Sequence, residues 1–328
     1  MRLGPSGALL VSLAPTERPV AGIWFGRCLA VLNLTVNRSS GVALCGHYDT
    51  GQLLDLPRHE ISLSGSFGRI KFSSNMGKRM KFLTTDAGRR IAYVQSKGIG
   101  PGVVFLGGFM SDMTGTKALH LEAWCKAEGR GFLRFDYSGH GASSEAFTDG
   151  CIGDWAEDAQ VAICELTHGP QILVGSSMGG WISLLMTKRI PERIAGLVTI
   201  AAAPDFTEDG FWASFNADTR KFLIQEGQVN IPSDYGDPYP ITKRLIEDGR
   251  SHLVLRSPLH LPFPTRFLQG DEDEEVSVDL AHRLFALATG DDIQLRLLKG
   301  GDHRFSSPRA LGLTQKAITD VIGVIEAQ

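Results

Sequence analysis

From residue 81 onward the chain alternates short apolar runs with stretches of helical period, and before residue 81 it sustains neither. Lys81-Phe82-Leu83-Thr84, the turn residues Asp86-Ala87-Gly88 and Ile91-Ala92-Tyr93-Val94 predict a β-hairpin. Apolar or β-prone runs at 103–106, 132–135, 171–174, 194–200, 265–269 and 293–298 predict buried strands. Helical periods fall between them, around 118–127, 154–166, 181–190, 278–288 and 310–327. Strands alternating with helices predict a mostly parallel central sheet covered by helices on both faces, an α/β fold.

One interval breaks this rhythm. Residues 205–262 carry Phe211, Trp212, Phe215 and Phe222, helical stretches and several prolines, too much for a plain connection, and read as a helical lid inserted into the α/β domain. Residues 1–75, with scattered Gly, Ser and Pro, read as a poorly structured extension preceding the domain at 76–328. Such a segment fits a disordered extension, an organelle-targeting peptide, or a start assigned too early. Its acidic residues fit a transit peptide only in part, which favours Met76 or Met80 as the true first residue.

Composition narrows the classes. With 43% hydrophobic residues in 328, the chain can bury a large core. The 33 basic and 36 acidic residues form no strong blocks, which excludes a nucleic-acid footprint and a polybasic membrane patch. No run of 18 uncharged apolar residues occurs, so no stable membrane insertion is expected. The cysteines at 28, 45, 125, 151 and 164 have no zinc-ligand spacing; a reducing compartment and no structural metal follow. The expected location is cytoplasmic, or mitochondrial if the first segment is a transit peptide.

The chemistry concentrates in Gly175-Ser176-Ser177-Met178-Gly179, a Gly-x-Ser-x-Gly turn between a strand and a helix. Such a sharp turn lifts a serine clear of the backbone, and the helix N-terminus behind it attracts negative charge. Ser177 is thus the candidate nucleophile. The loop after the 293–298 strand, Lys299-Gly300-Gly301-Asp302-His303, supplies His303 as base. The loop after the 265–269 strand supplies the orienting acid: Asp273, at a G-x-x-D-x-x-V position, with Asp271 as its rival. The order Ser177, Asp273, His303, each after a strand, is the order of a strand-turn-helix hydrolase triad. For the oxyanion, the Met178 N–H comes with the turn, and Gly107-Gly108-Phe109, after the 103–106 strand, offers the Phe109 N–H. This chemistry needs no cofactor and no metal.

The sequence from residue 81 resembles the α/β-hydrolase superfamily. Within it, residues 108–118, 135–139, 169–181 and 302–304 resemble the mitochondrial palmitoyl-protein thioesterases and their bacterial relatives, also described as acyl-glucuronide esterases. The resemblance implies a serine hydrolase acting on carboxylic esters or thioesters through an acyl-enzyme, with a small-molecule ester or a palmitoylated protein as substrate. The chain departs from the superfamily in its oxyanion loop, where Gly107-Gly108 replaces the usual His-Gly or Pro-Gly. A C–C bond hydrolase or cofactor-free perhydrolase would use the same triad, and a catalytically silent binding protein would share the fold. Oligomeric state is not legible.

Overall fold

The computed structural model describes residues 21–25, 28–37, 41–46, 80–232 and 238–327, and the chain divides into two units, 1–74 and 75–328. The first unit contains three antiparallel strands, Ala21–Phe25, Cys28–Asn37 and Gly41–Gly46, the middle one pairing with both others. The apolar–polar alternation Leu32-Asn33-Leu34-Thr35-Val36-Asn37 is the strand period that a reading of residues 1–75 as patternless passed over. The rest of that stretch, including Met76, lies outside the described residues.

In the second unit eight strands form one sheet: β1 (Lys81–Thr84), β2 (Arg90–Ser96), β3 (Ile99–Leu106), β4 (Arg130–Phe135), β5 (Gln171–Ser176), β6 (Ile194–Ile200), β7 (Thr265–Gly270) and β8 (Ile293–Leu298). Their spatial order is β8-β7-β6-β5-β3-β4-β2-β1. The strands β3 to β8 run parallel, β2 pairs antiparallel with β4, and β1 pairs antiparallel with β2.

Continuous apolar runs make central strands because successive side chains leave on opposite faces, and here both faces are covered. Val103, Phe105, Ile172 and Val174 enter one core, with α1 (Thr116–Ala127) and α7 (Pro308–Glu326). Val104, Leu106 and Leu173 enter the other, with α2 (Ile152–Leu166), α3 (Met178–Arg189) and Leu284 of α6 (Val278–Leu287).

The interval between β6 and β7 folds as a lid: a π-helical segment Phe206–Trp212, α4 (Ala217–Glu226), a hairpin of Gln228–Ile231 with Tyr239–Thr242, and α5 (Lys243–Gly249). Its two ends meet at Asp205. That carboxylate, fully buried, accepts the N–H groups of Val254 at 2.7 Å and Leu255 at 2.9 Å and Arg256 Nη1 at 3.1 Å. Among the described residues no helix is long and apolar enough to cross a membrane.

Candidate active site

Every candidate residue follows the C-terminal end of a parallel strand, where ligands of open α/β sheets bind. Ser177 joins β5 to α3 with φ 53° and ψ −117°, a strained conformation for a non-glycine residue. Two glycines permit the turn. A Cβ on Gly175 would collide with the Gly179 carbonyl and the Ser183 hydroxyl, and one on Gly179 with the carbonyls of Leu106 and Gly107. The strain is held by backbone bonds: Ser177 N–H to Ile200 C=O at 2.9 Å, and Gly180 and Ala203 N–H to Ser177 C=O at 2.9 and 3.1 Å.

Strands β7 and β8 are neighbours in register, Gly270 opposite Leu298, so the loops carrying Asp273 and His303 leave the sheet side by side. His303 Nδ1 lies 2.9 and 3.1 Å from the two Asp273 oxygens, and Nε2 lies 3.1 Å from Ser177 Oγ. With the ring proton on Nδ1, the imidazole donates to Asp273 and the Ser177 hydroxyl donates to Nε2. Asp273 is fully buried at its side chain, and also accepts the N–H groups of Glu275 and Val276 and the Gln269 amide. Burial pushes its carboxyl up, and the bonds from His303 and Val276 outweigh that, holding it below the ordinary carboxylate value. Asp271, the rival acid, instead holds Lys299 Nζ and Gly300 N–H, both at 2.6 Å.

The place of the candidate oxyanion loop follows from sheet order. β3 is the neighbour of β5, Leu106 lies opposite Gly175, and a Cβ on Gly108 would stand 3.4 Å from Ser177 Cβ. The Phe109 and Met178 amides therefore flank the serine, and neither has an acceptor among the described residues. Met178 opens α3, so its N–H has no partner within the helix. Asp136, after β4, secures the far side of this loop by accepting Met113 N–H at 2.6 Å and Ala142 N–H at 2.8 Å. Burial pushes Asp136 up to about 6 against the pull of those bonds.

A cleft of about 730 Å³ opens over Ser177 and His303. One wall is apolar: Phe109, Phe206, Phe211, Ile231 and Tyr239. The Phe109 ring meets Phe206 and Tyr239 edge-on, at 5.4 and 5.8 Å between centroids. Of the four lid aromatics singled out in the sequence, Phe211 alone faces the cleft. Phe215 is buried in the core, Phe222 is exposed, and Trp212 carries the guanidiniums of Arg220 and Arg250. The lining also carries polar side chains, among them Asp112, Lys117, Glu275 and Arg304. Burial pushes Lys117 down to about 8 although Asp302 opposes the shift; its Nζ donates to the Arg304 carbonyl.

Residues 103–243 match the family model described as the alpha/beta hydrolase fold. The bovine mitochondrial palmitoyl-protein thioesterase ABHD10 is 35% identical over 252 residues, covering 74% of this chain and 80% of the relative. The chain belongs to the ABHD10 family of α/β hydrolases. Mouse ABHD10, as a solved structure, superposes with a TM-score of 0.70 at 32% identity, over 75% of this chain and 99% of that one. A crystal structure of an Agrobacterium vitis S4 protein described as a hydrolase gives a TM-score of 0.72 at 36% identity, over 74% and 98%.

Gln269, Glu275 and Lys117 join this site without a sequence signal. Gln269 is the penultimate residue of β7, and its amide reaches Asp273 Oδ2 at 2.9 Å and the Val276 carbonyl at 2.8 Å. A strand-end glutamine next to an acidic loop is the one pattern that could have hinted at it.

Proposed function

We propose that this chain is a serine hydrolase cleaving carboxylic esters or thioesters through an acyl-enzyme on Ser177. The observation that carries the proposal is the continuous chain Ser177 Oγ, His303, Asp273, with two partnerless amides beside the serine. Ser177 attacks the acyl carbon while its proton passes to His303 Nε2. The imidazolium so formed is held by Asp273, then returns the proton to the leaving oxygen or sulfur. The Phe109 and Met178 N–H groups receive the oxyanion; removing one such donor typically costs about 2.7–4 kcal/mol of transition-state stabilisation. Water, activated by the same imidazole, then releases the acid.

The apolar wall fits a long acyl or an aryl group, and the thioesterase designation of the ABHD10 relatives supports an S-palmitoyl thioester as substrate. An acyl-glucuronide is the narrower ester alternative, with the sugar against the polar side chains of the lining. The mitochondrial designation of the same relatives supports a mitochondrial rather than a cytoplasmic location. A tagged full-length chain that stays in the cytosol of a eukaryotic cell would count against that location.

The test is hydrolysis of a p-nitrophenyl ester and a palmitoyl thioester by the full chain and by Ser177→Ala. A loss of about 10⁴-fold on substitution is expected from removal of a triad nucleophile. Equal, negligible rates in both proteins would refute the proposal and favour the silent binding protein. Activity confined to a C–C or peracid-forming reaction would favour those alternatives.

A further inference from the structure

The candidate base meets two carboxylates, and the mechanism above uses one. Glu275 follows Asp273 by two residues in the loop after β7, and its backbone N–H is anchored on Asp273 Oδ1 at 2.9 Å. Its side chain lies on the cleft wall with Oε2 3.5 Å from His303 Nε2, the nitrogen that meets Ser177 Oγ at 3.1 Å. The atom that would take the serine proton therefore has both the hydroxyl and a carboxylate within 3.5 Å.

The two protonation states of the ring see that carboxylate with opposite sign. A neutral imidazole with its proton on Nδ1 gives its single Nε2 lone pair to the Ser177 hydroxyl, and Glu275 beside it has no hydrogen to donate, so the electron-rich nitrogen and the anion repel. Once Nε2 carries the Ser177 proton, Glu275 becomes an acceptor and a counter-ion. The other charges around the ring are Asp273 at Nδ1, Asp302 and Arg304 on either side in its own loop, Glu272 and Glu274 in the acid's loop, and Lys117 from α1, bonded to the Arg304 carbonyl. Of the acids, Asp273 and Glu275 come within 3.5 Å of a ring nitrogen, and Glu275 is the one beside the reacting nitrogen.

We propose that Glu275 is a second catalytic carboxylate of this site, which strengthens His303 as a proton acceptor during serine attack and thereby sets the pH at which the site becomes active. The proposal rests on the Ser177–His303 reading. The step is the one already balanced: the Ser177 O–H bond breaks, the N–H bond forms on Nε2, Oγ bonds the acyl carbon, and Glu275 keeps its charge throughout. A stronger acceptor works better once free of its proton but is freed at higher pH.

Removing the charge should therefore cross the two pH profiles. The measurement is kcat/KM against pH for the full chain, with a neutral p-nitrophenyl ester read at the isosbestic wavelength of the phenol. In Glu275→Gln the half-activity point on the acid side should fall by about 0.5–1 pH unit. That is the size of a single charge at this separation in water, reduced by the part-exposure of Glu275 and by salt. The alkaline plateau should fall two- to fivefold by the opposing loss of acceptor strength, about what a Brønsted dependence gives for such a change. The variant is thus faster than wild type in acid and slower in alkali, and high salt narrows the difference. Glu274→Gln removes the same charge from an exposed neighbour and should leave the half-activity point unmoved. An unmoved half-activity point in Glu275→Gln, or an equal shift in Glu274→Gln, would overturn the assignment. Absence of any Ser177-dependent hydrolysis in the wild type would overturn the triad reading and this proposal together.

Discussion

Replacing Gln269 with Leu tests whether the orienting acid is itself oriented. Gln269 is 1% exposed, and its two amide hydrogens are shared among Asp273 Oδ2 at 2.9 Å, the Val276 carbonyl at 2.8 Å and the Gly270 carbonyl at 3.3 Å. Leucine fills a similar volume and donates nothing. The lost bond to the Asp273 carboxylate is worth about 1.5–3 kcal/mol, and the buried Val276 carbonyl left without a donor costs about 1–3 kcal/mol more. The second quantity weakens the fold alone; the first also weakens the site, because the carboxylate keeps His303 and two backbone amides but loses the side-chain donor that fixes its plane. If half or more of the first quantity is felt in the transition state, kcat/KM falls about 4- to 100-fold with KM little changed. The assay is ester hydrolysis on protein shown to be folded at the assay temperature, with thermal unfolding measured alongside. Activity within threefold of wild type would refute the reasoning, since Asp273 would then need no support from β7. Gln269→Glu sharpens the test. It sets a second carboxylate against Asp273, so its defect should deepen as pH rises and the new acid ionises.

Three further outcomes are expected. Gly179→Ala drives a methyl into the carbonyls of Leu106 and Gly107, so the oxyanion loop and α3 must part; thermal unfolding should show a loss of about 1–3 kcal/mol, and activity should fall further than stability does. Asp205→Ala strips the acceptor from the buried Val254 and Leu255 amides, a cost of about 2–5 kcal/mol by urea denaturation, with hydrogen exchange rising first within the lid. His140, buried behind the Gly139–Gly141 turn, is pushed by burial down to about 4 from 6.5. The folded chain then binds fewer protons than the unfolded one between those values, so stability falls as pH drops from 6.5 to 4, by up to about 3 kcal/mol. In His140→Gln that acid-side decline should be smaller, as read from urea midpoints at several pH values.

Most of the sheet was legible because its central strands are buried on both faces and flanked by glycine or helix starts, whereas β8, read from the sequence as buried, is an edge strand with most of its side chains only partly covered. The runs at 194–200 and 293–298 coincide with β6 and β8, and the helix read at 278–288 is α6 within one residue. Ser177, Asp273 and His303 stood out as candidates for a local reason: each stands in a loop with its own pattern after a strand, and the structure brings the three side chains together. What escaped depends on contacts between distant segments. The lid hairpin pairs Gln228–Ile231 with Tyr239–Thr242, short polar-edged strands with no clear period. The cleft wall draws Phe109, Phe206 and Tyr239 from three segments, and nothing in the spacing of Trp212 or Phe222 says that they face elsewhere. Glu275 looked like one more charge in an acidic run, and only its distance to His303 Nε2 sets it apart.

The Asp205 clasp has a consequence for how this scaffold diversifies. Because one carboxylate joins the chain where it leaves β6 to the chain at Val254 and Leu255, the intervening segment is a loop with a fixed stem. Doubling the length of such a loop adds only about 0.6 kcal/mol of closure entropy. Insertions or deletions at exposed turns between the stem residues are therefore expected to spare the sheet, the elbow and the His303 loop while altering Phe206, Phe211, Ile231 and Tyr239 on the cleft wall, provided that Phe215, Leu223, Ile241, Leu245 and Ile246 keep their places in the core. Selectivity can thus vary within a fixed stem and a fixed set of packed residues, with the chemistry beneath it kept.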